Sequence, residues 1–177
     1  MSANIDNLHV IVADNNYNMR RITRQALSDI SVSDVYECKT CEDVIQAMQL
    51  KLPDILILSW DLAPKGGIEL VNYIRKSQKS PSPYLPIIMS SEATSKEQVF
   101  KARDAGINEF LVRPFSTKAL LSRIQTIIEN PRPFVKTKTF FGPDRRRRQF
   151  ADYPGPERRG GKKTITAEQI ASLLNKS

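Results

Sequence analysis

The chain has one histidine, two cysteines and no apolar run that approaches a membrane span. A span needs about 18 consecutive apolar residues, so no membrane insertion is expected. The opening stretch MSANIDNLHV has no basic segment followed by an apolar one. That leaves no secretory signal to expect, and a cytoplasmic location is the default. The two cysteines, Cys38 and Cys41, lie in CKTC, with no second pair to complete a four-ligand zinc site. Two ordinary thiols in a reducing compartment are the reading. A nucleophile–base pair, a metal cluster and a phosphate loop of the type GxxxxGK[ST] are also missing, so no enzyme is expected.

What the chain does have is basic charge, unevenly placed. Residues 1–130 carry 15 Lys/Arg against 15 Asp/Glu, whereas residues 131–177 carry 12 against 4. The whole net charge of +8 therefore sits at the carboxyl-terminal end. An anionic partner for that segment follows, rather than a generally basic protein.

Along residues 1–130 short β-branched runs alternate with helical periods. HVIVAD, VSDVYEC, DILILS, YLPIIMS and NEFLV read as strands. Residues 17–29, CEDVIQAMQL, IELVNYIRKS, SKEQVFKARDAG and TKALLSRIQTIIEN read as helices. Five strands alternating with five helices predict an α/β fold, a doubly wound five-stranded parallel sheet covered on both faces. In such sheets the working site lies beyond the carboxyl ends of the strands. Those ends hold Asp14 and Asn15, Ser59, Ser91, and Arg113-Pro114.

At these positions the chain resembles the receiver domain of two-component signalling, the CheY-like family. ADNNYNMRRI, ILILSWDLAPKGGIEL, LPIIMSSEA and EFLVRPF carry the likeness over about 130 residues, in the family's order and spacing. The resemblance implies phosphoryl transfer to an aspartate after the third strand. It also implies two acids that help hold Mg²⁺ after the first strand, a hydroxyl after the fourth and a lysine after the fifth. Aligned through GGIEL, this chain puts Ser59 at the nucleophile position, Asp14 and Asn15 at the acid pair, Ser91 at the hydroxyl and Arg113 at the lysine. Phe110 takes the place of the switch aromatic. One carboxylate of three remains, and pairing of Asp14 with Arg113 would leave little need for Mg²⁺. A serine without a neighbouring base is a poor nucleophile. The expectation is a degenerate receiver that phosphorylation does not switch. The alternative is a conventional response regulator with Asp61 as a displaced acceptor. Two residues along a strand, about 6.6 Å, would carry that carboxylate into the loop.

From Pro131 the helical period ends, and residues 131–177 are expected to form an extended, largely disordered arginine-rich tail. A short helix over 166–175 is expected from the capping pattern of Thr-Ala-Glu-Gln at Thr166. The phrase Gly-Pro-acid-Arg-Arg begins at Gly142 and again at Gly155, thirteen residues on. Arginine forks match phosphate oxygens and the O6/N7 edge of guanine. A carboxylate accepts from guanine N1–H and N2–H₂, and aromatic rings stack on purines. Two copies suit a ligand with two guanines, two phosphates and two-fold symmetry, and cyclic di-GMP has that composition. The candidate residues are Asp144, Arg145, Arg146, Arg147, Arg148, Tyr153, Glu157, Arg158 and Arg159, with Phe150 as the alternative stacking ring. FFGPDRRRR and GPERR also resemble the tail of a group of alphaproteobacterial CheY-like proteins. That resemblance implies cyclic di-GMP binding and a flagellar-motor or polar-localisation partner. The competing reading is a basic arm for nucleic acid, RNA above all.

Overall fold

The parallel strands are short and, in the middle of the sheet, wholly buried, which is why their sequences are continuous apolar runs rather than alternating ones. The computed structural model describes residues 5–92, 95–145, 163–166 and 168–170. Strands β1 (His9–Ala13), β2 (Asp34–Cys38), β3 (Ile55–Ser59), β4 (Ile87–Ser91) and β5 (Glu109–Val112) form a sheet in the order β2-β1-β3-β4-β5. All pairings are parallel. Helices α1 (Tyr17–Ser28), α2 (Cys41–Leu50), α3 (Gly67–Lys76), α4 (Lys96–Ala105) and α5 (Thr117–Glu129) connect them and continue the chain after β5.

The two faces bury separate cores. Ala26, Leu27, Leu120 and Ile124 of α1 and α5 pack on Val10, Val12, Ile57 and Ile88. Val44, Met48, Leu70, Val71, Ile74 and Ala102 of α2, α3 and α4 pack on Ile11, Leu56, Leu58 and Met89. Each fully buried aliphatic of this kind contributes about 1.5–3 kcal/mol. Local signals set the helix ends. Asn16 accepts from the amides of Asn18 and Met19, and Thr40 and Asp43 form a capping box. Gly106 ends α4 with φ of 108°, a left-handed cap open to glycine. The doubly wound sheet is the one the alternation predicts, and its direction of winding changes between β1 and β3.

Immediately beyond α5, three short strands stand where the sequence predicts an extended tail. β6 (Phe134–Lys136) pairs antiparallel with β7 (Phe141–Pro143) on one side and with β8 (Lys163–Ile165) on the other. Phe134, Val135 and Phe140 are buried. Tyr84, Phe134 and Phe141 form a ring cluster with centroids 5.2–5.6 Å apart. Beneath it lies Arg75, buried and with no carboxylate partner among the described residues. It donates to the carbonyls of Gly106 (2.9 Å), Pro83 (2.8 Å) and Leu85 (2.7 Å), and its guanidinium sits 5.1 Å from the Phe134 ring centre. Burial pulls this group down to about 9, which leaves it cationic at neutral pH. Arg75 thus ties the α3 end to the loops at Pro83, Leu85 and Gly106, and through the Phe134 ring it meets the hairpin. None of these contacts has a periodic signature.

The capping pattern at Thr166 is present as geometry. The Thr166 amide donates to Gln169 Oε1 (3.0 Å), the Gln169 amide donates to Thr166 Oγ1 (3.4 Å), and residues 168–170 are helical. The rest of the expected helix lies outside the described residues.

Candidate functional site

Three strand ends build the site. β1 delivers Asp14 and Asn15, β3 ends on Ser59, and the residue after β5 is Arg113. The pairing of β3 with β4 places Ser59 beside Ser90. Arg113 Nη2 donates to Asp14 Oδ2 at 2.5 Å and to Ser90 Oγ at 2.7 Å, while its Nε lies 3.2 Å from the same hydroxyl. Asp14 Oδ1 accepts from the amide of Asn16 at 2.8 Å, so both carboxylate oxygens are engaged.

Arg20 of α1 comes in below the same strand end. It is buried, donates to the carbonyls of Asp14 (2.7 Å) and Asn15 (3.2 Å), and lies 3.4 Å from Glu37. Arg113 therefore occupies the Asp14 carboxylate, while Arg20 holds the backbone beneath it and pairs with Glu37. Asn15 points its amide away, bonding the Asp61 carbonyl and the Ala63 amide at 2.7 Å each. It pins the loop after β3 rather than adding an oxygen beside Asp14. This donor set does not suit a divalent cation, which takes several oxygen ligands and is repelled by adjacent arginines. Among the described residues there is no group of three or more His, Cys, Asp or Glu that could hold a metal.

The remaining sequence candidates fall as follows. Ser91 is buried at the end of β4, and its carbonyl accepts from the Arg113 amide at 2.9 Å. Phe110 is half-buried against the core under α3 and α4. Asp61 is exposed in the loop after β3. Gly67 closes that loop so tightly that a Cβ there would stand 2.4 Å from the Ser59 carbonyl. Ser90 and Arg20 are the residues that sequence reasoning missed. Ser90 was hidden because β4 ends in two serines and alternation sends them to opposite faces. Arg20 was hidden because a helical arginine reads as solvent-facing.

A family model for the response regulator receiver domain matches residues 10–125. The chain belongs to that family. It is similar to the chemotaxis protein CheY of Pseudomonas aeruginosa, 25% identical over 122 residues, which covers 69% of this chain and 97% of that protein. The chemotaxis protein CheY homolog of Campylobacter jejuni is 29% identical over 125 residues, covering 68% of this chain and 92% of that protein. The solved structure of Vibrio cholerae CheY4 superposes with a TM-score of 0.62 at 23% identity, over 68% of this chain and 98% of its own, a likeness of fold. The family match ends inside α5, so β6, β7 and β8 are additions to the receiver.

Of the arginine-rich candidates, Asp144 and Arg145 are described. The Asp144 amide donates to the Pro133 carbonyl at 2.8 Å. Arg145 Nη1 donates to Asp104 Oδ1 of α4 at 2.8 Å, and its guanidinium lies 4.0 Å from the Phe140 ring centre. Arg146, Arg147, Arg148, Phe150, Tyr153, Glu157, Arg158 and Arg159 lie outside the described residues. Gly142 and Pro143, which open the first copy of the repeated phrase, are strand residues of β7. A Cβ on Gly142 would stand 2.9 Å from Gly106 Cα, so this glycine serves a close approach of two backbones. β7 and β8 flank the residues between them, and both pair with β6. The arginine-rich stretch is therefore tethered at both ends.

Proposed function

We propose that this chain is a non-catalytic signalling adaptor, a receiver that aspartyl phosphorylation does not switch. In this reading the arginine-rich segment between β7 and β8 binds cyclic di-GMP and thereby controls which protein the receiver engages. The observation that carries it is the Asp14–Arg113 pair at 2.5 Å, set beside Ser59 where the family places its phosphoacceptor. The arginine takes up the carboxylate that would bind metal, and its second bond to Ser90 takes up a hydroxyl at the same edge. With Mg²⁺ binding lost, the pocket lacks the divalent ion that would hold and neutralise an incoming phosphoryl group, and its one arginine is already engaged by Asp14.

The segment between β7 and β8 carries the arginines and acids suited to guanine and phosphate, and the two strands fix its ends. Fixing both ends lowers the ordering entropy that a free tail would lose on binding. The relatives named as chemotaxis proteins support a protein partner in chemotaxis signalling, and the resemblance of the arginine-rich segment points to the flagellar motor or the cell pole.

Two measurements on the full chain test the reading. Incubation with acetyl phosphate and Mg²⁺ is expected to give no phosphoprotein by mass; stable incorporation that disappears in Asp61→Asn would overturn the silent-pocket half. Calorimetric titration with cyclic di-GMP is expected to show micromolar binding that survives moderate salt and is lost in Arg158→Ala. Binding that instead follows polyanion length and collapses with salt would make the segment a nucleic-acid arm.

A further inference from the structure

Outside the receiver pocket, the outer face of α4 and the residues flanking β7 bring together two rings, two guanidinium groups and one carboxylate. Phe100 is 50% exposed, and the Arg103 guanidinium lies 4.8 Å from its ring centre. Arg103 Nε and Nη2 each reach Asp104 Oδ1 at 3.2 Å. Arg145 reaches the same oxygen at 2.8 Å and rests on the buried Phe140. The order in space is Phe100, Arg103, Asp104, Arg145, Phe140. Both guanidinium groups converge on one carboxylate oxygen, which leaves the patch net positive. The side chains of Arg103 and Asp104 remain 43% and 50% exposed.

This is the composition of the repeated phrase, one acid with two arginines, but gathered from two elements rather than written in line. A structural ion pair would account for Arg145 and Asp104 alone. It does not account for a second arginine on the same oxygen, nor for a large ring held half in water on a surface helix. An aromatic ring under a guanidinium fixes the plane of the fork and extends a stack to which a purine can add. The other oxygen of Asp104 has no partner among the described residues and is the acceptor type that a guanine N1–H and N2–H₂ edge needs.

We infer that α4 and Arg145 form one half of the dinucleotide site. One guanine stacks against Arg103 and Phe100 with its amide edge on Asp104. Arg145, the first arginine of the run, lies beside it for a phosphate oxygen. The inference rests on the cyclic di-GMP reading above and extends it to the receiver body, so binding would be read directly by a helix of the signalling domain.

Titration of cyclic di-GMP into the full chain and into Arg103→Ala, Phe100→Ala and Asp104→Asn tests it. Each variant should unfold thermally as the parent does yet bind about tenfold or more weakly, and Arg103→Lys, which keeps the charge but not the fork, should not restore affinity. Amide resonances of Phe100, Arg103 and Asp104 should shift on addition of the dinucleotide to the parent. Parent-like affinity in all three α4 variants, alongside loss of binding in Arg158→Ala, would overturn this inference and leave the function standing. No binding by the parent chain would overturn both.

Discussion

Asp14 and Arg113 directly follow β1 and β5 of the receiver sheet and meet at 2.5 Å with side chains 7% and 9% exposed. Taking either partner away leaves the other charge buried. Arg113→Ala or Asp14→Ala should therefore cost about 3–5 kcal/mol in denaturant unfolding. The double variant should cost much less than the two singles together, a coupling that a double-mutant cycle reads directly. Independent, additive losses would show that the pair is not what holds this edge closed.

The same pair determines what repairing the pocket requires. Ser59→Asp alone adds an acceptor carboxylate but leaves Arg113 on Asp14 and Asn15 on the Asp61 and Ala63 backbone. It should take up no phosphate from acetyl phosphate. Ser59→Asp combined with Asn15→Asp and Arg113→Lys supplies three carboxylates and a compact ammonium. That variant should bind Mg²⁺ and incorporate phosphate by mass. Uptake by the single variant would mean that the arginine is no barrier.

The docked hairpin makes a prediction of a different kind. A Cβ on Gly142 would stand 2.9 Å from Gly106 Cα and 3.0 Å from the Phe140 ring, and the Gly106 backbone cannot yield easily. Gly142→Ala should cost about 1–3 kcal/mol of local stability. Amide exchange at 134–136, 141 and 142 should accelerate while β1, β3 and β4 stay protected. A uniform change across the sheet would show that the hairpin and the receiver open as one unit.

How much of this could be read from the chain alone depended on the range of the forces involved. Strands such as ILILS and helices such as CEDVIQAMQL were legible because burial on two faces and a capping box at Thr40 act within a few residues. Asp14, Ser59 and Arg113 were legible because strand ends of a doubly wound sheet converge at one edge. β6 and β7 were not, since three-residue strands have too few positions for a period and the aromatic and proline content resembled a linker. Arg75 illustrates the difficulty. In IRKS it reads as a basic helix end facing water, yet carbonyls from Pro83, Leu85 and Gly106 and the Phe134 ring enclose it. Only the folded chain brings them together.

Phe134 is the residue through which the addition grips the receiver. It meets Tyr84 edge to face and Phe141 at a tilt, and it covers Arg75. Phe134→Ala should cost about 3–5 kcal/mol and leave the Arg75 guanidinium without its ring. Phe134→Leu should recover most of the packing but not the cation–π contact, which is worth about 0.5–2 kcal/mol. Urea unfolding of the three proteins separates the two contributions. Equal stability of the leucine variant and the parent would assign the grip to packing alone.

Cys38 tests burial through pH. Its thiol is pushed up from 9.0 to about 12, first by burial and then by the negative charge of Asp43. Folding therefore favours the protonated thiol, and its contribution to stability is fully present below pH 9. Between pH 9 and about 12 the unfolded chain loses this proton while the folded chain keeps it, so stability should fall as pH rises across that window. The slope should shrink in Cys38→Ala measured over the same range. At pH 8 neither Cys38 nor Cys41, both free and buried, should react with a thiol reagent until denaturant is added. Rapid modification of the native protein would show that the end of β2 opens to solvent on the timescale of the reaction.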